Sequence, residues 1–147
     1  MKNRNLNNSD DWKTPDNLYN ELNKEFNFDF DPCPFKHDTT KWDGLNIEWG
    51  VCSFVNPPYS RKLKEAFIRK GYKEYKNGKT VVFLIPVSTS TEIFHEIIYP
   101  NFKSGNCEIR FLKGRVKFQG INTFGELVTN KCGMHDSMLC IFKNKEG

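Results

Sequence analysis

The sequence lacks the long apolar run that a membrane-spanning helix requires. Its longest apolar stretch, near residues 81–87, is far shorter than the roughly 20 residues needed to cross a bilayer. The Asn-rich residues 1–11 have neither the apolar core nor the cleavage site of a secretory signal. We therefore expect no membrane attachment and a cytoplasmic location, with residues 1–10 as a disordered tail.

The cysteines form no pattern typical of a metal site or of a disulfide framework. Their number is odd, their spacing is scattered and no CxxC pair occurs: they are Cys33, Cys52, Cys107, Cys132 and Cys140. The histidines, His37, His95 and His135, also lack partner patterns, and we interpret them as structural or surface residues. We therefore predict that the protein binds no metal and resides in a reducing compartment.

Positive charge is in mild excess, and it is unevenly distributed. The formal net charge is +4, which permits a polyanionic partner without requiring one. Eight Lys or Arg residues fall between Arg61 and Lys79, against Glu65 and Glu74. Taken alone, such a run is typical of the solvated face of a helix.

Three segments carry the apolar spacing of amphipathic helices: residues 15–26, 61–75 and 91–99. For the first helix, Thr14 is placed to cap the N-terminus and Pro15 suits the first turn. For the second, Leu63 and Phe67 are predicted to face inward. Pro100 is predicted to end the third helix, because proline cannot donate a backbone hydrogen bond.

Short apolar or alternating runs predict strands at residues 26–31, 51–55, 80–86 and 137–143. The Lys113-Gly114 pair, flanked by residues 108–112 and 115–118, predicts a β-hairpin. Helices alternating with strands predict a single α/β domain over residues 11–147. Its sheet is expected to be mixed and mostly parallel, with an antiparallel hairpin at the C-terminal end. In such sheets ligands bind at the carboxyl ends of strands, the positions of Asp31 and Asn56.

The most distinctive motif is Asn56-Pro57-Pro58-Tyr59, which ends the apolar run at residues 51–55. Asp, Asn or Ser followed by two prolines and an aromatic residue is expected by chance in about 1% of chains this long. The side-chain oxygen of Asn56 and the carbonyl of Pro57 can accept the two hydrogens of a planar amine, such as that of adenine. The prolines hold both acceptors rigidly, and Tyr59 can stack on a base that has left the duplex.

A second set of residues suits the two charged ends of a bound amino acid. Asp31, at a strand end, is placed to hold a cationic amino group. Thr14, at a helix start, can hold a carboxylate with its hydroxyl and the neighbouring amides. Taken alone this signal is weak, because Thr-Pro is commonly a plain helix start and Asp at a strand end is commonly a cap.

In order and spacing, these elements resemble the small Dam-type DNA N6-adenine methyltransferases that phages and prophages encode. The matching segments span nearly the whole chain after residue 10: they are residues 11–15 with Leu18 and Leu22, 28–33, 43–45 with Trp49, 54–60, 84–86 with 89–94, 109–118 and 137–142. Only the Asn-Pro-Pro-Tyr motif is specific by itself.

The resemblance implies a Rossmann-like class I methyltransferase fold, S-adenosylmethionine as methyl donor and adenine in DNA as acceptor. It assigns the target base to Asn56, Pro57, Pro58 and Tyr59. It assigns the cofactor to Trp12, Thr14, Pro15, Asp31 and Cys33, while Asp43 is either a cofactor contact or a loop cap. The residues expected to contact DNA lie beside the motif, on the second helix and on the predicted hairpin: they are Ser60, Arg61, Lys62, Arg115 and Lys117. A role in restriction-modification, the target sequence and the oligomeric state stay open.

One departure from most class I methyltransferases keeps other functions open. Asp31 is followed by Pro32-Cys33-Pro34 rather than by a glycine-rich loop, and no glycine precedes Gly44. A nucleic-acid-binding relative without catalytic activity is therefore one alternative. A different acceptor is the second, because the Asn-Pro-Pro-Tyr motif also serves enzymes that methylate RNA bases, cytosine N4 or a protein glutamine.

Overall fold

The computed structural model describes residues 12–34, 43–58, 60–121, 127–129 and 135–144. In chain order its elements are α1 (Asp16–Phe26), β1 (Cys52–Val55), α2 (Arg61–Lys76), β2 (Thr80–Pro86), a π-helical segment (Phe94–Ile98) continuing into α3 (Tyr99–Lys103), β3 (Cys107–Phe111), β4 (Gln119–Ile121), β5 (Leu127–Thr129) and β6 (Ser137–Phe142). Within these ranges no helix has the length and apolar character needed to cross a membrane. The predicted tail, residues 1–10, lies outside the described residues.

The main sheet has four strands in the order β1-β2-β6-β3. Strands β1 and β2 are parallel, whereas β6 runs antiparallel to both β2 and β3. An extended segment before Asp31 adds a short parallel edge beside β1, since Asp29 N–H donates to Cys52 and Phe54 N–H donates to Phe30. The prediction of an α/β protein with a mixed sheet is confirmed. Most of the strand pairings are nevertheless antiparallel, because β6 lies between β2 and β3.

The predicted hairpin around Lys113-Gly114 is wrong. Strand β3 pairs along its length with β6, and residues 115–118 form no strand. The alternation in that stretch has a different cause: Val116 and Phe118 pack against the core. The chain does form an antiparallel pair beyond this point, between β4 and β5.

Both faces of the sheet are covered, which explains why β2 and β6 read as continuous apolar runs. On one face, Phe83 and Phe142 pack with α2 and with the π-helical segment. On the other face, Leu84 and Leu139 pack with Leu22 of α1. The predicted strands at residues 51–55, 80–86 and 137–143 are thereby confirmed as β1, β2 and β6 to within one residue at each end.

Helices α1 and α2 also form where they were predicted. Three details of the predicted helices, one in each of the three, nevertheless differ from the structure. Pro15 rather than Thr14 holds the N-cap position of α1, and no side-chain hydrogen bond caps that end. Leu63 is 41% exposed, because the buried stripe of α2 begins only at Phe67. Pro100 does not end the third helix; it falls in the first turn of α3, after a π turn in which Tyr99 N–H donates to Phe94. The wider π turn tolerates a residue that lacks a backbone donor.

A buried ionic cluster fastens the end of α2 to the chain that enters β1. Glu74 is only 4% exposed and accepts hydrogen bonds from Lys79 Nζ at 2.8 Å, Lys70 Nζ at 2.9 Å and the backbone N–H of Trp49 at 3.2 Å. Burial raises the pKa of Glu74, but the hydrogen bonds from Lys79 and Lys70 outweigh burial, so the net pKa lies below its ordinary value. The carboxylate is therefore the form that the fold stabilises.

Candidate active site

A cavity of about 180 Å³ opens at the carboxyl end of β1, beside the start of α1. Its lining brings together residues that are far apart in the sequence: Trp12, Lys13, Thr14, Asp16, Tyr19, Asp31, Cys33, Phe54 and Asn56. Asp31 and Asn56 meet there because the segment ending at Asp31 runs parallel to β1, so both chain ends reach the same edge of the sheet. Trp12, Thr14 and Cys33 of the predicted site line it too.

The side chain of Asn56 is held by two hydrogen bonds. Its Nδ2 donates to the carbonyl oxygen of Trp12 at 2.9 Å and to Thr14 Oγ1 at 3.1 Å. Both amide hydrogens are thereby used, and Oδ1 accepts no hydrogen bond from any residue that the structure describes. The arrangement leaves one fixed, unused acceptor at the wall of the cavity.

The backbone of the motif is equally constrained. Pro57 is buried and Pro58 is half-buried. The carbonyl of Asn56 accepts from Cys33 Sγ at 3.3 Å, which ties the motif to the turn after Asp31. Within the described ranges no donor reaches the carbonyl of Pro57. Tyr59, the last residue of the motif, lies outside those ranges.

Asp31 begins a tight turn at the base of the cavity. Its Oδ1 accepts the backbone N–H of Cys33 at 3.0 Å, an interaction that orients the carboxylate without a glycine-rich loop. Asp31 also acts on Tyr19: burial raises the pKa of the Tyr19 hydroxyl, and the charge of Asp31 raises it further. The phenol is therefore neutral throughout the physiological range.

Tyr19 is a cavity residue that sequence analysis missed. Its ring lies edge-on to Phe54, with centroids 5.3 Å apart, and 5.7 Å from the ring of Phe28. The carbonyl of Pro15 accepts the Tyr19 backbone N–H at 3.0 Å, so Pro15 positions this residue although it does not line the cavity. A signal was present: Tyr19 lies three residues before Leu22 and borders the apolar stripe of α1.

The cavity also carries an exposed ion pair that was not predicted. Lys13 Nζ lies 3.4 Å from Asp16 Oδ1 at the start of α1. Lys13 is fixed through its backbone, because it exchanges two hydrogen bonds with Gln119 of β4, at 2.6 and 3.0 Å. The segment that contains Trp12 and Thr14 is thus joined both to α1 and to β4.

Asp43 lies outside the cavity. Its two carboxylate oxygens accept from the backbone N–H of Leu45 at 3.0 Å and from Asn46 Nδ2 at 2.6 Å, as in a loop cap. The next residue, Gly44, packs so closely on Pro32 that a Cβ atom there would collide with the Pro32 carbonyl. This loop therefore supports the Asp31 turn from behind. No group of three or more potential metal ligands occurs in the described part of the chain.

None of the residues predicted to contact DNA lines the cavity. Ser60 occupies the N-cap position of α2, and Arg61 pairs with Glu65 at 3.2 Å. Arg115 pairs with Asp136, also at 3.2 Å. Lys62 and Lys117 are exposed and form no ion pair with the described residues. Lys117 lies two residues before Gln119, and Gln119 is hydrogen-bonded to Lys13 of the cavity lining.

Comparison with known protein families identifies the chain. The family model of DNA N-6-adenine-methyltransferase (Dam) matches residues 2–147, nearly the whole sequence. The comparison with curated proteins found no match. The chain therefore belongs to the Dam family of DNA N6-adenine methyltransferases and is an enzyme that methylates adenine in DNA.

Proposed function

We propose that this Dam-family enzyme takes its methyl group from S-adenosylmethionine in the cavity at the end of β1, and that Asn56 presents its oxygen to the adenine amine. The observation that carries the proposal is the geometry of Asn56. Its two amide hydrogens are held by Trp12 and Thr14, whereas Oδ1 is left unused at the cavity wall. An acceptor fixed in this way needs no reorganisation when the amine arrives.

The groups in the cavity fit the cofactor chemically. The carboxylate of Asp31 suits the ammonium end of its methionine part. The hydroxyl hydrogen of Thr14 can donate to the carboxylate end, since Thr14 Oγ1 only accepts from Asn56 in the described structure. A cavity of about 180 Å³ is smaller than the roughly 300–1,000 Å³ of ordinary ligand pockets, so it suits that part of the cofactor rather than the whole molecule.

The remaining cofactor residues have supporting roles. We assign Trp12 and Tyr19 to the walls that enclose the ligand, and Cys33 to the turn that aims Asp31. Pro15 acts through Tyr19, whose backbone N–H it accepts. Asp43 acts as the cap of the loop behind Asp31, the second of the two roles considered for it.

The same motif binds adenine, the base that receives the methyl group. Asn56 Oδ1 and the carbonyl of Pro57 accept the two hydrogens of the flipped adenine amine and raise the electron density on its nitrogen. Pro57 and Pro58 keep the acceptors rigid, and Tyr59 stacks on the base. S-adenosylmethionine supplies an electrophilic methyl group on a sulfonium. The protein contributes mainly by aligning the amine nitrogen with that group.

The sheet supports a Rossmann-like class I fold for this reaction. The edge before Asp31, β1 and β2 run in the same direction, and the reversed strand β6 separates β2 from β3. The cavity lies at the carboxyl ends of the parallel strands, where such sheets bind ligands. We place the enzyme in the cytoplasm, together with its DNA substrate.

We assign DNA contact to Ser60, Arg61, Lys62, Arg115 and Lys117. Ser60 and the two basic residues after it directly follow the Asn56–Tyr59 motif, so they are within reach of the backbone that flanks a flipped base. Lys62 and Lys117 are the stronger candidates, because Glu65 and Asp136 already partly neutralise Arg61 and Arg115.

The test is to incubate the protein with unmethylated DNA and S-adenosylmethionine and to quantify methylated nucleosides by mass spectrometry. We expect N6-methyladenine from the wild type and none above background from Asn56→Ala. The matched control is Asn106→Ala, at the opposite edge of the sheet where β3 begins, which should retain activity. Cofactor binding without any methylated DNA base would redirect the proposal to RNA or another acceptor. Failure to bind the cofactor, with DNA binding intact, would indicate a catalytically inactive relative.

A further inference from the structure

We propose that the segment from Trp12 to Thr14 is the positioning element of the catalytic asparagine, so that one short segment serves both the cofactor side and the base side of the site. The inference rests on the proposed role of Asn56. It adds a second role to Thr14, and it gives the Trp12 backbone a function that its side chain does not share.

The partners of the Asn56 amide determine which of its two atoms faces the cavity. An amide group can rotate by half a turn and exchange its oxygen and nitrogen at small cost unless its partners discriminate between them. Thr14 Oγ1 does not discriminate, since a hydroxyl can donate or accept. The carbonyl of Trp12 does, because it can only accept. The atom 2.9 Å from that carbonyl must therefore be Nδ2, which turns Oδ1 towards the substrate.

The contact with the Trp12 carbonyl also restricts the residue type at position 56. An aspartate there would set a carboxylate oxygen against the Trp12 carbonyl, two acceptors with no hydrogen between them. Asparagine is consequently required by this positioning element and is not equivalent to aspartate, although both offer an acceptor to the amine.

The positioning element is itself held in place by its neighbours. Thr14 is 8% exposed. Lys13 exchanges two backbone hydrogen bonds with Gln119 of β4. Pro15, at the N-cap of α1, fixes the chain on the other side of Thr14. Because the element is anchored at Lys13 and at Pro15, it can impose an orientation on Asn56 rather than follow it. The Thr14→Val variant removes the hydroxyl and keeps the branched shape of the side chain, and it should leave this anchoring intact because Lys13 and Pro15 hold the element through the backbone.

The test separates orientation from binding by comparing Thr14→Val with Thr14→Ser. Cofactor affinity is measured by calorimetry, and kcat is measured at saturating cofactor and DNA. We expect Thr14→Val to lose about 10- to 100-fold in kcat, the effect of an amide hydrogen left unpaired, and Thr14→Ser to restore most of it. The control is Thr80→Val, which removes a comparable hydroxyl, bonded to the N–H of Asn144 at the far end of β2, and should leave kcat unchanged.

Three results would overturn the inference. The first is a wild-type kcat in Thr14→Val. The second is a loss confined to cofactor affinity, with kcat at saturation unchanged, since Thr14 would then be a ligand contact only. The third is full activity of Asn56→Asp, a variant that can be tested even if Thr14→Val fails to fold. Asn56→Asp keeps the acceptor but not the donor, so we expect it to lose at least about tenfold in kcat. Absence of N6-methyladenine from the wild type would instead count against the proposed function.

Discussion

The side-chain amide nitrogen of Asn56 lies 2.9 Å from the carbonyl oxygen of Trp12, 44 residues earlier in the chain. The contact joins two sequence elements that were assigned to different partners, one to the cofactor and one to the target base. Neither element alone indicates it. In the folded protein they form the two walls of one cavity, so a change in either is expected to affect both binding and catalysis.

Removal of the Tyr19 hydroxyl should weaken cofactor binding. The Tyr19→Phe variant keeps the ring contacts with Phe54 and Phe28, so its melting temperature should match that of the wild type. Loss of one neutral hydrogen bond predicts about 3- to 10-fold weaker binding of S-adenosylmethionine in calorimetry. Tyr99→Phe, on the exposed surface of α3, serves as the control. Equal affinities of Tyr19→Phe and the wild type would show that the hydroxyl makes no contact with the cofactor and that Tyr19 contributes only its ring to the cavity wall.

Neutral variants of Lys62 and Lys117 should change how DNA binding responds to salt. Each lysine that contacts a phosphate contributes about one to the slope of log K against log salt concentration, and Lys62→Gln and Lys117→Gln should each lower the slope by about that amount. Arg61→Gln and Arg115→Gln should have smaller effects, because Glu65 and Asp136 compensate these charges.

The control for the salt experiment is Lys73→Gln, an exposed lysine near the C-terminal end of α2. It removes the same charge at a distance from the Asn56 motif, so its slope should equal that of the wild type. If the slope of log K against log salt concentration falls equally in Lys73→Gln, Lys62→Gln and Lys117→Gln, the cause is the lower net charge rather than the loss of phosphate contacts.

Glu74 should make stability depend on pH in the acidic range. The folded-state pKa of Glu74 lies below the ordinary value of 4.5, so the unfolded chain binds the proton more readily than the folded chain does. The Glu74 carboxylate therefore stabilises the fold above about pH 4.5, and this stabilisation is lost as the pH falls below that value. At neutral pH the Glu74→Gln variant should lose about 2–4 kcal/mol in urea unfolding, since Lys70 would stay largely buried without a carboxylate and Lys79 would keep only its ion pair with Glu48. The difference from the wild type should shrink as the pH falls from 5.5 to 3 (about one unit above and below the ordinary carboxyl range). A difference that does not change with pH would show that the effect is steric.

The Ser53→Ala variant should be more stable than the wild type. Ser53 is fully buried in β1, and its hydroxyl finds no hydrogen-bond partner among the described residues. Deletion of an unsatisfied buried hydroxyl should raise the free energy of unfolding by about 1 kcal/mol, measured by urea denaturation. Thr91→Ala should have the opposite effect, because the Thr91 hydroxyl donates to the Ser88 carbonyl at 2.9 Å. A loss of stability in Ser53→Ala would mean that the hydroxyl has a partner after all.

The elements that the sequence predicted well are those whose signal is local. The apolar runs of β1, β2 and β6 and the stripe of Leu18 and Leu22 reflect burial of each element against its own face of the sheet. The Asn-Pro-Pro-Tyr motif was equally visible, because its chemistry is written in four consecutive residues. Family membership, which the order of such segments predicted, is confirmed over residues 2–147.

What the sequence did not predict depends on partners far away in the chain. Strand β3 pairs with β6, and nothing within residues 107–118 indicates that choice over a local hairpin. Thr14 precedes a proline at a helix start, the usual place of a cap, yet its oxygen accepts from a residue 42 positions away. Tyr19 became a cavity residue only once the parallel edge had brought Asp31 beside Asn56. The local periodicity of apolar residues carries no information on such long-range contacts.

The position of β6 in the sheet has a consequence for synthesis. Strands β2 and β3 touch only through β6, yet β6 is the last of the described strands to leave the ribosome. Until residues 137–142 have emerged, β3 has no partner among the described strands, and β2 has an unpaired apolar edge that can pair with another chain. Premature termination before this strand should therefore give aggregated material rather than a smaller, partly active enzyme.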